Sequence, residues 1–125
     1  MKHLLDVNLV IAGIVTTHPQ HAVAAAWLPN KEVILCPMSE LGFLRIATNP
    51  RLMGFTMTDA RRLLQNFATF YKAARIPADM NALDSHPATF AQVTDHYLAD
   101  LAASHGLKLA TLDQDLKHPA VQLVL

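Results

Sequence analysis

The stretch Lys2-His3-Leu4-Leu5-Asp6 sets the fold class of the chain. Its short apolar run predicts a buried β-strand that ends at Asp6. Two further apolar runs, Val33-Ile34-Leu35-Cys36 and Leu107-Lys108-Leu109-Ala110, predict two more buried strands, and a possible last strand covers residues 121–125. Short buried strands that alternate with helical segments are typical of a three-layer α/β domain, in which helices flank a central, mostly parallel sheet on both faces.

The segments between these strands carry helix signals. Helices are predicted over residues 7–15, 18–28, 38–48, 58–75 and 95–105. Pro19 suits the first position of the second helix, and Ser39, Thr58 and Thr94 are predicted to cap the last three. The apolar stripe of the fourth helix, which includes Phe70, is interpreted as core. Residues 76–87 are predicted to form a loop or a weak strand.

Length and composition narrow the class of protein. A chain of 125 residues and 13.7 kDa predicts one domain over residues 1–125. A hydrophobic fraction of 52%, charged residues at 16% and a mean hydropathy of +0.23 exclude a disordered chain. No apolar run is long enough for a membrane helix, and the single cysteine, Cys36, cannot form an internal disulfide. An early charge argues against a signal peptide, so a cytoplasmic location is expected.

The formal net charge of zero conceals two segments of opposite sign. Residues 1–75 contain eight Lys and Arg and four acids, for a net of +4. Residues 76–125 contain two Lys and six Asp, for a net of −4. The basic segment makes phosphate contacts possible, and the arginines expected to provide them are Arg45, Arg51, Arg61 and Arg62.

Acidic residues fall at the predicted carboxyl ends of the strands. Asp6 ends the first strand, Glu40 follows the second, Asp113 and Asp115 follow the third, and Asp95 opens a helix expected at the same edge. Ligands bind beyond this edge in open parallel sheets. Asp6 is the hardest of these acids to explain structurally, because a lone buried carboxylate is costly.

Carboxylates that converge repel one another unless a cation joins them. Hard divalent cations with oxygen ligands, Mg²⁺ or Mn²⁺, meet this need and typically serve phosphodiester hydrolysis. The neutral oxygens of Asn8, Ser39 and Thr111 lie beside these acids in sequence and could orient them as supporting groups. Each acid also has a purely structural interpretation, as a helix-end charge or a turn residue.

Several motifs together resemble the PIN-domain family, and more narrowly its VapC-type toxin ribonucleases. They are Leu4-Leu5-Asp6-Val7-Asn8, His18-Pro19-Gln20-His21, Pro37-Met38-Ser39-Glu40-Leu41-Gly42-Phe43-Leu44-Arg45, Thr94-Asp95-His96-Tyr97-Leu98-Ala99-Asp100-Leu101-Ala102, His105-Gly106 and Ala110-Thr111-Leu112-Asp113-Gln114-Asp115-Leu116. They span nearly the whole chain in order. One departure is Leu116, where many relatives carry Phe.

The resemblance implies a PIN-like α/β fold and a Mg²⁺- or Mn²⁺-dependent endoribonuclease. It implies that Asp6, Glu40, Asp95 and Asp113 form the acidic quartet, with Asp115 as a possible fifth ligand. It also implies a homodimer that a cognate antitoxin neutralises.

Other functions stay open at the level of sequence. His18 and His21 could form part of a zinc site, and the seven histidines could support a metal-free ribonuclease. The main alternative is a non-catalytic, dimeric binding or regulatory module of PIN-like fold, in which the acids only cap helices and keep the surface polar.

Overall fold

A computed structural model describes residues 2–125 of the chain. The strands are β1 (Lys2–Leu5), β2 (Glu32–Leu35), β3 (Ala74–Arg75), β4 (Lys108–Thr111) and β5 (Val121–Leu123). The helices are α1 (Val7–Ile14), α2 (His21–Trp27), α3 (Pro37–Thr48), α4 (Met57–Phe70) and α5 (Val93–Ser104). Short 3₁₀ turns lie at Leu28–Asn30, Ala82–Asp84 and Phe90–Gln92.

The strands form a five-stranded sheet in the order β3-β2-β1-β4-β5, and every pairing is parallel. β1 lies at the centre, with Leu4 opposite Ile34 on one side and Leu109 on the other. All five carboxyl ends therefore lie at one edge of the sheet. The predicted α/β class, with a parallel sheet between helices, is confirmed.

The core has two parts, one on each face of the sheet. Leu5 packs with α1, α2, α3 and α4 on one face, and Leu4 packs with α5 on the other. Successive strand residues point to opposite faces, which is why both neighbours are fully buried. None of the helices formed by residues 2–125 has the length and apolar character needed to cross a bilayer.

Helix boundaries depart from the sequence prediction in several places. α3 begins at Pro37 with Ser39 already inside it, α4 is capped by Thr56 instead of Thr58, and α5 begins before Thr94. Thr56 is the better cap because its hydroxyl accepts the Asp59 backbone N–H at 3.1 Å. α2 begins only at His21, so Pro19 lies outside it.

The end of α4 was also predicted wrongly. The helix stops at Phe70, and Lys72 adopts φ +52°, a left-handed conformation that ends helices. The chain then turns to pair with β2, so that Arg75 ends a strand and not a helix. Phe70 is 77% exposed and does not belong to the core, because it falls on the outer side of the last helical turn.

Close packing of α1 on α3 depends on a glycine. A Cβ at Gly42 would lie 2.5 Å from Val7 Cγ2 and 3.1 Å from Val7 Cγ1. Val7 is β-branched and cannot easily rotate away, since few χ1 rotamers are open to it in a helix. This contact sets the position of the first residue of α1, directly after Asp6.

We expect Gly42→Ala to destabilise the protein. Overpacking costs about 1–3 kcal/mol, which outweighs the gain of up to ~1 kcal/mol from removing a helical glycine. Urea unfolding measures the change, and the same substitution in a Val7→Ala background should cost much less, because the clashing methyl groups are gone. A Gly42→Ala protein as stable as wild type would contradict this packing.

Candidate metal centre

Four predicted site residues lie at the carboxyl edge of the sheet. Asp6 directly follows the central strand β1, Glu40 lies in the first turn of α3 after β2, and Asp113 follows β4. Asp95 lies in the first turn of α5, which starts near this edge and runs back toward β4. The order of the strands thus brings acids from distant parts of the chain to one end of the sheet.

Asp6 is the buried acid at the centre of this edge, with 1% of its surface exposed. Its Oδ1 accepts the Val7 backbone N–H at 2.8 Å, and its Oδ2 accepts the Thr111 hydroxyl at 2.7 Å. Its own backbone N–H donates to the Ala110 carbonyl at 2.9 Å. The side chain therefore both caps α1 and links β1 to β4, which fixes its orientation.

Asn8 and Thr111 form a polar network around Asp6. Asn8 Nδ2 donates to Thr111 Oγ1 at 3.1 Å, and Asn8 Oδ1 accepts the Leu112 backbone N–H at 3.2 Å. The backbone N–H of Asp113 also donates to Thr111 Oγ1, at 3.0 Å. These two predicted supporting residues lie where they hold the start of the loop after β4 against Asp6.

The electrostatics of the edge show that carboxylates converge there. Burial, followed by the charge of Asp95, raises the pKa of Asp6 to about 7 against the lowering effect of its Thr111 and Val7 hydrogen bonds. Asp113 also raises it. Burial and the charge of Asp113 raise the pKa of Asp95 as well, although a side-chain hydrogen bond with Asp6 partly offsets this.

This acidic set is suited to a divalent cation. Burial and, after it, the neighbouring carboxylates keep Asp6 protonated up to about neutral pH, and a bound cation would favour its anionic form. The donors are oxygens, as Mg²⁺ and Mn²⁺ prefer. Within residues 2–125, no three of these acids bring carboxylate oxygens to within 4.8 Å of one another. Repulsion between negative charges favours this separation.

Asp115 and Ser39 lie differently from the central acids. Asp115 is exposed, and its backbone N–H donates to Asp113 Oδ1 at 2.9 Å. This hydrogen bond orients the side chain of Asp113. Ser39 is fully buried, and its hydroxyl donates to the Leu5 carbonyl at 2.7 Å. Ser39 therefore holds α3 against the end of β1 and contacts no carboxylate among the described residues.

Glu40 is paired with an arginine. Its Oε2 accepts hydrogen bonds from Arg75 Nη2 at 3.2 Å and Nε at 3.3 Å. The sequence reasoning missed Arg75, because the residue was assigned to the end of a helix and not to a strand beside β2. Parallel pairing of Leu35 with Arg75 is what places the guanidinium next to Glu40.

The predicted RNA-contacting arginines occupy three places. Arg45 lines a cavity of about 360 Å³ that also contains Asp95. Arg61 and Arg62 line a larger groove of about 550 Å³ with Glu40. Arg51 lies in the exposed turn after α3, outside both.

A second group of ionisable side chains lies between α5 and the loop before β5. His96 Nδ1 is 3.0 Å from one oxygen of Asp100, and His118 Nε2 is 2.7 Å from the other. The Ala120 backbone N–H donates to His118 Nδ1 at 3.0 Å, which leaves Nε2 as the protonated nitrogen that donates to Asp100. Metal binding at Nε2 would require the proton at Nδ1, where His118 already accepts a hydrogen bond. These contacts therefore form a hydrogen-bonded link between α5 and the loop before β5.

A parallel α/β sheet with acids gathered at its carboxyl edge, of which Asp6 is buried, defines the class of α/β proteins that bind ligands beyond the ends of the strands. The PIN domain family model matches residues 3–122, and the chain belongs to this family. The resemblance found in the sequence is thereby confirmed.

The chain is also similar to several named proteins from Mycobacterium tuberculosis. It is 31% identical to "Ribonuclease VapC38" over 118 residues, which is 88% of this chain and 84% of the relative. It is 33% identical to "Ribonuclease VapC29" over 94% of this chain and 90% of the relative. It is 31% identical to "Ribonuclease VapC39" over 96% and 94% of the two chains.

The raised pKa of Asp6 predicts that the metal-free protein loses stability as pH rises. The pKa of about 7 in the folded protein exceeds the ordinary aspartate pKa of 3.8, so the folded state binds more protons than the unfolded chain between these two pH values. The contribution of Asp6 to stability therefore falls from about pH 4 to about pH 7 and then stays level. Asp6→Asn removes this pH-dependent cost together with one acceptor oxygen, so its stability relative to wild type should rise by on the order of 4 kcal/mol from pH 4 to pH 8.

Thermal or urea unfolding in chelator at several pH values measures the effect. Asp115→Asn is the matched control, since it removes an exposed carboxylate from the same edge and should change stability little at either pH. A wild-type protein whose difference from Asp6→Asn does not change between pH 4 and pH 8 would contradict the electrostatic description of the site.

Proposed function

We propose that the protein is a divalent-metal-dependent endoribonuclease and the toxin of a toxin–antitoxin pair. The observation that carries the proposal is the buried Asp6, which faces Asp95 and Asp113 at the sheet edge and has a raised pKa. The relatives are named ribonucleases, and the match covers 84% to 94% of their length. Their name supports RNA as the substrate.

In this proposal Asp6, Asp95 and Asp113 hold Mg²⁺ or Mn²⁺, and Glu40 joins them once it leaves Arg75. Such an ion supplies a more acidic bound water and stabilises the charge that develops on the phosphate. Asp115 contributes from the rim of the site, where its backbone orients Asp113.

The chain's own residues have separate tasks around this site. Thr111 and Val7 donate to Asp6 and keep its oxygens fixed, and Asn8 holds Thr111 in place. Ser39 supports the end of β1 through the Leu5 carbonyl. Arg45 beside Asp95, together with Arg61 and Arg62, contacts the phosphates of a single-stranded RNA segment, and Arg51 extends this basic surface.

We also propose that the protein acts in the cytoplasm as a homodimer that an antitoxin protein neutralises. Large apolar side chains on the surface support association with a partner: Phe70 is 77% exposed and Phe90 is 93% exposed. An antitoxin that inhibits such a site would place a basic side chain near the acidic edge and an apolar segment in a neighbouring groove.

Metal binding distinguishes this proposal from the non-catalytic module. We expect Mn²⁺ to raise the melting temperature of the wild-type protein, because binding to the folded state alone stabilises it. Asp6→Asn and Asp95→Asn should lose most of this response, whereas Asp84→Asn, which removes an exposed acid elsewhere, should keep it. A wild-type melting temperature that does not change in millimolar Mn²⁺ would favour the non-catalytic module.

Cleavage tests the activity itself. Purified protein incubated with total cellular RNA should cut it with Mg²⁺ or Mn²⁺ and stop when chelator is added. Asp6→Asn and Asp113→Asn should lower cleavage at least a hundredfold while the circular dichroism spectrum stays unchanged, and mapping the cut ends identifies the sequence preference. Cleavage that resists chelator would contradict metal dependence and favour a histidine-based reaction.

A further inference from the structure

A positively charged groove lies between the first turns of α3 and the middle of α4. It has a volume of about 550 Å³, and three guanidinium groups line it, those of Arg61, Arg62 and Arg75. Arg62 is paired with Asp59 at 2.8 Å, whereas Arg61 has no acidic partner among residues 2–125. Positive charge therefore exceeds negative charge in this groove.

One acid shares this groove, and it is a predicted metal ligand. Glu40 binds Arg75 through a single oxygen, Oε2, which accepts from both Nη2 and Nε. Half of the Arg75 side chain is exposed to solvent, as is 21% of Glu40. Exposed ion pairs of this kind are weak, so a phosphate or a cation can replace either partner at small cost.

The two partners have better ligands available in a nuclease that is loaded with metal and substrate. A guanidinium binds phosphate through two parallel hydrogen bonds, a stronger arrangement than its contact with one carboxylate oxygen. A carboxylate is in turn a preferred ligand of Mg²⁺ and Mn²⁺. The Arg75–Glu40 pair therefore competes with a phosphate for Arg75 and with a cation for Glu40.

We propose that this groove binds a backbone phosphate of the RNA strand and that Arg75 moves from Glu40 to that phosphate, which releases Glu40 toward the metal. The inference rests on the proposed nuclease function and adds a coupling to it. RNA and metal then strengthen each other's binding, because each removes one competitor from the Arg75–Glu40 pair. Arg75 acts as a positioning residue for Glu40 and not as a catalytic residue.

Calorimetric titration with Mn²⁺ alone tests the competition. Arg75→Gln should bind Mn²⁺ about threefold to tenfold more tightly than wild type, because Glu40 is free from the start. Arg61→Gln is the matched control, since it removes the same charge from the same groove without a contact to Glu40. In a Glu40→Gln background, Arg75→Gln should change Mn²⁺ affinity no more than Arg61→Gln does.

Binding of a fluorescein-labelled single-stranded RNA tests the phosphate contact. The measurement uses the Asp6→Asn protein in the presence of chelator, so that the RNA is not cut. In this background, Arg75→Gln and Arg61→Gln should each weaken RNA binding several-fold. Arg51→Gln, outside the groove, should weaken it less.

The outcomes separate the two proposals. Wild-type protein that binds Mn²⁺, with Arg75→Gln no tighter than Arg61→Gln, overturns the coupling and leaves the nuclease function standing. RNA binding that is indifferent to Arg75→Gln overturns the phosphate contact. A wild-type protein that binds no Mn²⁺ overturns both.

Discussion

The burial of one carboxylate, Asp6, beside two other acids at the edge of the sheet is the constraint on which this site depends. Asp6 is held in place by the start of α1 and by Thr111, so it cannot turn away from Asp95 and Asp113. Its charge is disfavoured because the side chain is buried and faces other carboxylates. A fold that fixes an acid in this way loses stability when the acid ionises, and the metal ion that we propose for this site would restore it.

The topology explains why acids so distant in sequence meet. β1 is central, and its two neighbours are β2 and β4, so the residues that follow these three strands lie side by side at one edge. Asp6, Glu40 and Asp113 each follow one of them. This parallel arrangement needs helical crossovers, and those helices bury both faces of the sheet and leave the edge as the accessible place for polar chemistry.

Much of this could be predicted from sequence, because a strand's end is a local feature. The apolar run before Asp6 and the run before Asp113 marked where acids leave the core. The direction of the Glu40 side chain could not be predicted, because Arg75 lies 35 residues away and belongs to a strand of only two residues. Helix starts were misjudged for a related reason: Ser39 has the chemistry of a cap, yet its hydroxyl serves the Leu5 carbonyl across the core.

The two aspartates of α5 show how environment, and not residue type, determines what an acid does. Burial acts to raise the pKa of Asp100, but hydrogen bonds from His118 and Ser85 and the proximity of His96 outweigh it and leave that pKa lowered. Asp95, five residues earlier on the same helix, has carboxylates as neighbours and a raised pKa. Asp100 already has its partners, and its role is to hold the loop before β5 against the helix. Burial and the charge of Asp113 oppose the anionic form of Asp95, and the cation that we propose for this site would favour it.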